Sequence, residues 1–466
     1  MFAVKTLRKQ RKRGYNSIGL QNQTVFSEWI AARKVMNSSV NILYIDHYAG
    51  SNLHGMEFRP FLMAKRWVQA GHNVTIAASS FSHLRGQNPD LMGKKTLDET
   101  IDGVRFFWIY GNHYSGNGLD RVRNILSFVR GLTHYQDKLV KRNKPDVVIA
   151  SSTYPMDIYP AAKIAKKYNA RLVYEVHDLW PLSPMEVGGM SRLHPFIQVM
   201  QRAENYAYAN SDQVVSVLPN AKSYMMEHGL TEDRFTYIPN GVEKDAWKLP
   251  ENPEDARYYD LLHQFREEGW FLVGYAGAHS PSSALDSFVE AGKDLKGQKI
   301  KLVMVGQGPE KSRLQQKIND LDLRDTVESL EAVRRSQIPG LLDQFDALYI
   351  GIQKQPVFRY GISPNKLFDY MMAGKPIIYG IEYENNAVKK SGCGISIPSE
   401  DSSAIARAAI AIASVSEGQR RQMGEKGRAY VLENHEYDGL AQRFLEVLEK
   451  PSSKKVPGGK HAAKKK

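Results

Sequence analysis

Short apolar runs alternate with longer amphipathic stretches along most of the chain. Runs such as NILYID, NVTIAA, DVVIAS and RLVYEV are rich in β-branched and aromatic residues, which is typical of buried strands. The intervening stretches, for example 58–71, 156–168 and 195–209, show helical spacing of their apolar positions. The alternation predicts parallel βαβ units with helices on both faces of each sheet, which is an α/β fold.

The alternation is interrupted at YIPNGVEKDAW, where Pro239, Asn240 and Gly241 indicate a turn, and it then restarts. The sequence therefore predicts two doubly wound, Rossmann-like domains that face each other across a cleft. We place a basic N-terminal extension at 1–37, a first domain at 38–238, a second domain at 239–436, a helix that returns to the first domain at 437–450, and a Lys-rich tail at 451–466.

The formal net charge of +13 is concentrated at the two ends of the chain. Residues 1–35 and 450–466 hold 15 of the 63 Lys and Arg but only one of the 50 Asp and Glu, so the body, with 48 basic and 49 acidic residues, has a net charge of −1. A body of this charge gives no reason to expect a nucleic-acid partner. Cys393 is the only cysteine, which excludes an internal disulfide, and neither a signal peptide nor an apolar run of transmembrane length is evident. These features predict a cytoplasmic location.

Candidate binding residues follow the first predicted strand, in the loop HYAGSNLHGMEFRP. Ligands of open parallel sheets bind beyond the carboxyl ends of the strands, so this loop faces the predicted cleft. Gly50 and Gly55 permit a tight turn close to a ligand, and Glu57 and Arg59 place polar groups at the start of the next helix. The loop lacks the GxGxxG pattern of dinucleotide sites, and an ordinary strand-to-helix turn is the alternative interpretation.

A second candidate loop, YEVHDLWPLSP, places His177 where its strand ends. An imidazole at this point can hydrogen-bond a sugar hydroxyl or stabilise a developing charge. Asp178 and Trp180, followed by two prolines, make the loop rigid, polar and aromatic. A purely structural histidine is the alternative.

The stretch YGISPNKLFDYMMAGKPIIYG carries the most specific polar pattern. We predict that Ser363 caps a helix with Pro364 in its first turn. Lys366, also in the first turn, opposes the helix dipole unless an anion binds there, and a diphosphate is such an anion. Asp369 lies one turn further on, at a reach suited to the hydroxyls of a ribose, and Arg359 can add a bidentate contact to phosphate.

The segment GYAGAHSPSSALDSFVEA offers a second anion site, because its small residues open a predicted helix after a strand. Gly277 and His279 are the donor-site candidates in this segment.

Five motifs, IPNGV, GYAGA, VGQGP, SPNKLFDYMMAGKPII and SGCGISIP, resemble in kind and order those of the retaining glycosyltransferases of family 4, which have the GT-B fold. The resemblance spans about 40–445. Two stretches, HGMEFRPFLMAKRWVQAGHNVTIAASSFSHLRG and RYGISPNKLFDYMMAG, are similar to bacterial surface-polysaccharide enzymes assigned to N-acetyl-L-fucosaminyl transfer.

The resemblance implies transfer of a sugar from a UDP-sugar, bound by the second domain as a substrate, to a lipid-linked oligosaccharide bound by the first. It implies retention at the anomeric carbon, no cofactor and no metal. The pathway implied is the assembly of a surface polysaccharide, O-antigen or capsule.

The family pattern also carries over to individual residues. His177 matches the family histidine near the transferred sugar, and Asp369 matches the second glutamate of the E-x7-E motif, whereas the first glutamate falls at Gly361 and is missing. The family's usual Arg and Lys are absent from GAHSPSSALDS, so we expect Arg359 and Lys366 to supply that charge. The predicted site residues are His177 for catalysis; Gly277, His279, Arg359, Ser363, Pro364, Asn365, Lys366 and Asp369 for the donor; and Gly50, Gly55, Glu57, Arg59, Asp178 and Trp180 for the acceptor.

A lipid-linked acceptor requires contact with a membrane surface. The segment LDRVRNILSFVRGL, 119–132, has Leu119, Val122, Leu126 and Val129 on one helical stripe and arginines elsewhere, which is typical of a helix lying on anionic lipid. We therefore predict a peripheral location on the cytoplasmic face of the inner membrane. A helix that merely covers the sheet is the alternative.

Two other function classes stay open at this stage. The first is a UDP-sugar epimerase or hydrolase of the same fold, which needs additional acid–base carboxylates, for which Glu57 and Glu175 are the candidates. The second is a non-catalytic protein that binds nucleotide or membrane through its basic ends.

Overall fold

The computed structural model describes residues 39–55, 58–116 and 118–450. The predicted N-terminal extension, the Lys-rich tail and Glu57 lie outside the described residues. The bounds given below refer to the described part of the chain.

Within those residues, a first sheet is built from eight strands. These strands are β1 (Asn41–Ile45), β2 (Asn73–Ser79), β3 (Thr96–Ile101), β4 (Val104–Ile109), β5 (Val147–Ala150), β6 (Arg171–Val176), β7 (Gln213–Ser216) and β8 (Phe235–Tyr237). Their order in space is β3-β4-β2-β1-β5-β6-β7-β8, and all neighbours are parallel except β3 and β4, which are antiparallel. The sheet is therefore the open α/β sheet that the alternation predicts, with one antiparallel edge strand.

Helices cover both faces of the first sheet. They are α1 (Phe58–Gln69), α2 (Leu119–His134), α3 (Gln136–Leu139), α4 (Ile158–Tyr168), α5 (Leu182–Glu186), α6 (Pro195–Asn210) and α7 (Lys222–Glu227). Two apolar clusters result, one on each face, because alternate side chains of the buried strands point to opposite sides.

The second sheet contains six strands in the described residues, all of them parallel. They are β9 (Phe271–Ala276), β10 (Ile300–Val305), β11 (Val327–Leu330), β12 (Ala347–Gly351), β13 (Ile377–Gly380) and β14 (Gly394–Ile397), in the order β11-β10-β9-β12-β13-β14. The helices of this part are α8 (Tyr259–Glu267), α9 (Leu285–Ala291), α10 (Lys311–Asp320), α11 (Ile338–Asp343), α12 (Asn365–Ala373), α13 (Ala387–Ser391), α14 (Ser402–Ser414) and α15 (Glu417–Asn434).

The chain passes between the two domains at two adjacent places. The first crossing is the segment 238–242, and the second leads into the last helix, α16 (Tyr437–Glu449). The crossings pair with each other, since Val242 forms a parallel bridge with Glu436. Helix α16 then packs on the first domain, where the Trp67 indole donates to the Ala441 carbonyl at 2.9 Å. The two domains are thus tied together by paired backbone at the crossing.

Helix α2 buries a different stripe from the one that the sequence suggested for lipid. Ile125, Phe128 and Leu132 are buried, so the helix does cover the sheet. The suggested stripe is left partly open, with Leu119 76% exposed and Val122, Leu126 and Val129 half-buried. Among the described helices, none combines the length and apolarity needed to cross a bilayer. Contact with a lipid surface stays a prediction.

Candidate functional site

The carboxyl ends of the central strands lie together at one edge of each sheet. In the first sheet Ile45 pairs with Ala150, and Ala150 pairs with Tyr174, so the loops after β1, β5 and β6 emerge side by side. In the second sheet Ala276 pairs with Val305, which brings together the loops after β9 and β10. The predicted residues follow β1, β6 and β9, and those of 359–369 follow β12, which pairs with β9.

His177 leaves the end of β6 above a buried carboxylate. Its Nε2 is 2.8 Å from the Ser151 hydroxyl, which in turn donates to Glu175 Oε2 at 2.6 Å. Glu175 is fully buried and also accepts hydrogen bonds from the Tyr44 hydroxyl and from the Arg59 guanidinium. Because the Ser151 hydroxyl donates its proton to Glu175, it accepts from the Nε2–H of His177. This arrangement fixes the orientation of the imidazole ring. Because Nε2 keeps its hydrogen, Nδ1 is the ring nitrogen that gains or loses a proton.

The electrostatics of this cluster favour its charged forms. Burial raises the pKa of Glu175, but Arg59 and His177 outweigh this effect, and the pKa lies well below its usual range. Burial lowers the pKa of His177, but the charge and hydrogen bond of Glu175 outweigh it, so the pKa is raised above its usual value. The carboxylate and the imidazole therefore act as one unit.

Arg59 does not point into the cleft, which corrects its prediction as an acceptor-binding residue. Its Nε donates to Glu175 at 2.9 Å, its Nη2 donates to the Ile238 carbonyl at 2.9 Å, and its Nη1 donates to the Pro239 carbonyl. The side chain is 4% exposed. Since a guanidinium has five N–H groups in a fixed fork, these contacts commit Arg59 to the protein interior.

Four other predicted acceptor residues lie in the loops that follow β1 and β6. Gly50 is buried, and Gly55 has a φ of +91° and lies against Gly86. Asp178 accepts hydrogen bonds from the Leu179 amide at 2.9 Å and the Ser183 hydroxyl at 2.6 Å, so it holds the turn that leads into α5. Burial raises the pKa of Asp178, and these hydrogen bonds oppose the increase.

Trp180 continues the same loop and meets aromatic and cationic neighbours. Its ring packs edge-on to Phe196 with centroids 6.3 Å apart, and the Arg121 guanidinium lies 5.8 Å from the ring centre. The half-buried indole and its neighbours form an amphipathic surface beside His177 of the kind on which sugar rings pack.

Helix α12 begins one residue later than predicted, and its cap differs. Pro364 is the N-cap, and no side chain caps the first turn. The Ser363 hydroxyl instead accepts a hydrogen bond from the Asn240 amide at 2.9 Å, at the first crossing. Asn365, the first helical residue, is exposed. The first-turn N–H groups of this helix are therefore left without a side-chain acceptor, as an anion site requires.

Lys366 projects from this first turn to the end of β9. Its ammonium is 2.6 Å from the Tyr275 hydroxyl and 4.4 Å from the centre of that ring, and it lies beside Gly277, where an added Cβ would come within 2.8 Å of Nζ. Within the described part of the chain no carboxylate pairs with it. Tyr370 on the same helix holds the end of β9 in place. Its hydroxyl accepts a hydrogen bond from the Ala276 amide at 2.7 Å and donates one to the Ala276 carbonyl at 3.1 Å.

His279 belongs to the loop that follows β9, which also contains Gly277. The residue is completely buried, and neither ring nitrogen has a hydrogen-bond partner among the described residues. Burial, with Lys311 and Lys366 nearby, lowers the pKa of His279 to about 4, so the ring is neutral near pH 7. The loops after β9 and β10 touch through backbone here, because a Cβ on Gly306 would come 1.9 Å from the Gly277 carbonyl oxygen.

Asp369 is buried, and its carboxylate is already occupied. Arg335 forms a bidentate pair with it, donating to Oδ1 at 2.8 Å and also to Oδ2. Burial raises the pKa of Asp369, and the arginine opposes this. The carboxylate faces a cation whose side chain is 67% exposed, so a ribose would have to share it with Arg335 or replace Arg335. The ribose contact stays a prediction.

Arg359 reaches across the cleft rather than toward Lys366. Its guanidinium pairs with Glu186 of α5 through contacts of 2.9 and 3.1 Å. Its role at the diphosphate stays a prediction, and in this structure it joins the two domains.

In the described segments no group of three or more His, Cys, Asp or Glu side chains has the arrangement of a metal site.

Comparisons with known proteins identify the family. Residues 54–246 match the family model described as Glycosyltransferase Family 4, and residues 263–430 match the model described as Glycosyl transferases group 1. The two matches are consecutive and together cover most of the chain, one in each domain. The chain belongs to the family 4 glycosyltransferases. No curated protein sequence matches this glycosyltransferase at a significant level.

Solved structures of low sequence identity share the fold of this glycosyltransferase. HepE from Anabaena, in complex with UDP and glucose, is 16% identical, with a TM-score of 0.60 over 88% of this chain and 99% of its own. Sucrose-phosphate synthase from Thermosynechococcus elongatus is 14% identical, with a TM-score of 0.66 over 88% and 98%. WaaG, a glycosyltransferase involved in lipopolysaccharide biosynthesis, is 15% identical, with a TM-score of 0.59 over 88% and 100%. These likenesses establish the GT-B fold.

The structure gives a steric reason for the missing first glutamate of this glycosyltransferase. Gly361 has a φ of +82°, and an added Cβ would come 2.4 Å from the Pro219 ring of the first domain. The Asn220 amide also donates to the Tyr360 carbonyl at 3.0 Å. A glutamate therefore has no room at this position.

Sequence reasoning missed several residues of the glycosyltransferase site. Tyr275 and Arg335 hold the two charged side chains of α12, and Ser151 links His177 to Glu175. Arg335 and Ser151 follow the ends of β11 and β5, so a search of the residues just after each strand would have included them. Tyr275 lies inside β9, and no local signal distinguishes it from a core residue.

Proposed function

We propose that this glycosyltransferase moves a sugar from a UDP-sugar to a lipid-linked oligosaccharide, with retention at the anomeric carbon and without a metal. The transferred sugar in this proposal is an aminosugar of the N-acetyl-L-fucosamine type. The pathway is the assembly of a bacterial surface polysaccharide, either O-antigen or capsule.

One observation carries the donor assignment. The Lys366 ammonium lies at the uncapped start of α12, against Gly277, and it bonds the Tyr275 hydroxyl, with no carboxylate of the described residues paired to it. A cation in the first turn of a helix is unfavourable by itself, because the helix dipole places positive charge there. A bound diphosphate removes this conflict, since it pairs with the ammonium and with the first-turn N–H groups.

The same arrangement suits the chemistry of transfer. Breaking the bond between sugar and phosphate places negative charge on the departing diphosphate. Cations and N–H groups that are already in position stabilise this charge more in the transition state than in the ground state, and that difference is what accelerates the reaction. Domain closure over the site would exclude water and so favour transfer over hydrolysis.

His177 and the loop carrying Trp180 form the acceptor side of the proposal. The imidazole is oriented by Ser151 and Glu175 and can hydrogen-bond the transferred sugar through Nδ1. The half-exposed stripe of α2 is the surface that we assign to the membrane in this proposal, consistent with a peripheral location on the cytoplasmic face. HepE, solved with UDP and glucose, and WaaG, of lipopolysaccharide biosynthesis, support the nucleotide and the pathway by analogy.

An epimerase or hydrolase fits the site less well. Of the two carboxylates considered for that chemistry, Glu57 lies outside the described residues, and Glu175 is buried and paired with Arg59. A carboxylate held ionised by an arginine inside the protein is not placed to exchange protons with a substrate in the cleft.

A panel of UDP-, GDP- and dTDP-sugars tests the proposal through protection against thermal unfolding. We expect UDP-sugars to raise the midpoint most, and a UDP-aminosugar of the fucosamine type to raise it more than UDP-hexoses. The same panel with 1–35 and 452–466 deleted separates a binding site in the cleft from binding by the basic ends. Equal protection by all nucleotides, or protection lost with the ends, would contradict the proposal.

A further inference from the structure

His177 and α12, the helix that the proposed function assigns to the donor, lie in different domains, yet a continuous set of buried and partly buried polar contacts joins them. The set starts at Glu175, which holds His177 through Ser151, and continues to Arg59 at 2.9 Å. It passes the first crossing and ends at Ser363, next to the start of α12. The described catalytic chemistry leaves Arg59 without a role, although it is a fully committed, buried cation.

The contacts of Arg59 divide between two structures. One edge of the guanidinium faces Glu175 on β6, and the other faces the carbonyls of Ile238 and Pro239, where the chain leaves the first domain. One side chain thus fixes the direction in which the crossing departs, relative to the strand that carries His177. The planar fork makes this a geometric constraint and not merely a neutralised charge.

Asn240 carries the constraint into the second domain. Its backbone amide donates to the Ser363 hydroxyl at 2.9 Å, and its side-chain amide donates to the Ser363 carbonyl, also at 2.9 Å. Its carbonyl lies 3.1 Å from Nδ1 of His435, whose ring stacks on Phe368 of α12 at 4.2 Å. Asn240 therefore holds α12 at the residue just before its N-cap and, through His435, at the core side chain of Phe368.

We propose that Arg59 is a positioning residue for transfer: by clamping the crossing to Glu175, it sets the place of the Lys366 helix relative to His177. This inference rests on the proposed function in that it takes His177 and Lys366 as the two sides of the reacting site. Glu175 then has two tasks at once, because the same carboxylate orients the imidazole and anchors the crossing. Weakening the contacts of Arg59 with Glu175 and the crossing carbonyls would displace His177 relative to Lys366, and it would remove no group that contacts the donor.

Arg59→Lys tests the inference, because lysine keeps the charge beside Glu175 but loses the fork that holds the two carbonyls. Arg234→Lys is the matched control. Arg234 is also buried and binds backbone carbonyls, those of Ser211 at 2.9 Å and Ala209 at 3.2 Å, but these carbonyls belong to the first domain and not to the crossing 238–242. Both variants are expected to lower thermal stability, and the control measures that general effect.

Two readouts separate positioning from stability. We expect Arg59→Lys to lower the turnover of the donor found in the panel by about tenfold or more, with its KM and the affinity for UDP changed by less than about threefold. Ser363→Ala should lower turnover through the same contacts, so the double variant should lose much less than the product of the two single losses. Arg234→Lys should keep its turnover at temperatures where it is folded.

Small-angle X-ray scattering with and without UDP gives a readout that does not require activity. Arg59→Lys is expected to increase the radius of gyration relative to wild type, and Arg234→Lys is not. If Arg59→Lys matches Arg234→Lys in scattering and in turnover, or if the double variant shows simple multiplication, the inference is wrong. If wild type binds no UDP, the proposed function fails, and scattering of the variants still decides whether Arg59 fixes the domains.

Discussion

The two faces of the cleft handle charge in opposite ways. On the first domain, His177, Glu175 and Arg59 form a closed network in which each charge has an opposite neighbour. On the second domain, Lys366 lies at an uncapped helix start, its ammonium bonds the Tyr275 hydroxyl, and no carboxylate of the described residues pairs with it. The comparison suggests a division of labour that the proposed function uses: the paired network orients a side chain, and the cation without a carboxylate partner among the described residues is the one we propose to receive an anion from outside.

The largest effect is expected when the ion-paired network on the first domain is broken at Glu175. Glu175→Gln keeps the shape but leaves Arg59 buried without its carboxylate, which should reduce the free energy of unfolding by about 3–5 kcal/mol in a urea titration. The pKa of His177 should fall, because Glu175 is what raises it. Asp46 also raises this pKa, but by less than Glu175, and burial and Arg59 lower it, so the loss of the Glu175 charge leaves a net decrease.

The sign of the pH dependence follows from that shift. The folded-state pKa of His177 is above its unfolded value of about 6.5, so its contribution to stability is complete below about pH 6.5 and is lost as pH rises through the folded-state pKa. Titration of the ring Cε1–H resonance by NMR measures the pKa in both proteins. An unchanged pKa in Glu175→Gln would show that the two faces do not differ as described.

His177→Ala tests the first-domain face of the cleft, and it is expected to leave donor binding intact. We expect the rate of transfer to fall about 100-fold, because a preorganised hydrogen-bonding group near the reacting sugar is removed. The affinity for UDP, measured by calorimetry, should stay nearly the same, since the proposed function places the diphosphate on the other domain. An unimpaired rate would make His177 a structural residue.

Lys366→Ala tests the second-domain face of the cleft, and here the affinity for UDP is expected to fall. A charge-assisted hydrogen bond to phosphate contributes about 1.5–3 kcal/mol, so the affinity for UDP should fall about 10- to 100-fold. Lys317→Ala is a suitable control, because Lys317 is a second-domain lysine paired with Asp286 and Glu290. Unchanged UDP affinity in calorimetry would remove Lys366 from the donor site.

The smallest effect on UDP affinity is expected from the Arg359–Glu186 ion pair, which joins the two faces of the cleft. Arg359 and Glu186 form an exposed pair, which contributes little to stability. If Arg359 serves the diphosphate, Glu186→Ala should release it and strengthen UDP binding by about two- to fivefold, and Arg359→Ala should weaken binding by a similar factor. If neither variant changes the affinity, Arg359 is a domain contact only.

The fold could be predicted from the sequence where buried strands are strongly apolar. The strands that the alternation missed are β3 and β8, which lie at the two edges of the first sheet and carry polar residues such as Asp98 and Glu99. A local signal for β3 existed, because Asp102 and Gly103 both have positive φ in a two-residue turn of the Asp-Gly kind that joins antiparallel strands.

The site could be predicted only as far as single loops reveal it. Lys366 and His177 could be proposed from the sequence because a strand end or a helix start marks them, and their roles stay predictions. The partners of Arg59 could not be found in this way, because Glu175 is 116 residues away in sequence and the crossing carbonyls are about 180 residues away. Ser363 reads locally as a helix cap, and only the packing of the two domains gives its hydroxyl to Asn240.

A crystal structure of the protein with UDP tests the central claim most directly. The account predicts that the diphosphate binds at the first turn of α12, within hydrogen-bonding distance of the Lys366 ammonium and of the first-turn N–H groups. A diphosphate bound elsewhere, with the Lys366 ammonium still on the Tyr275 hydroxyl, would contradict it.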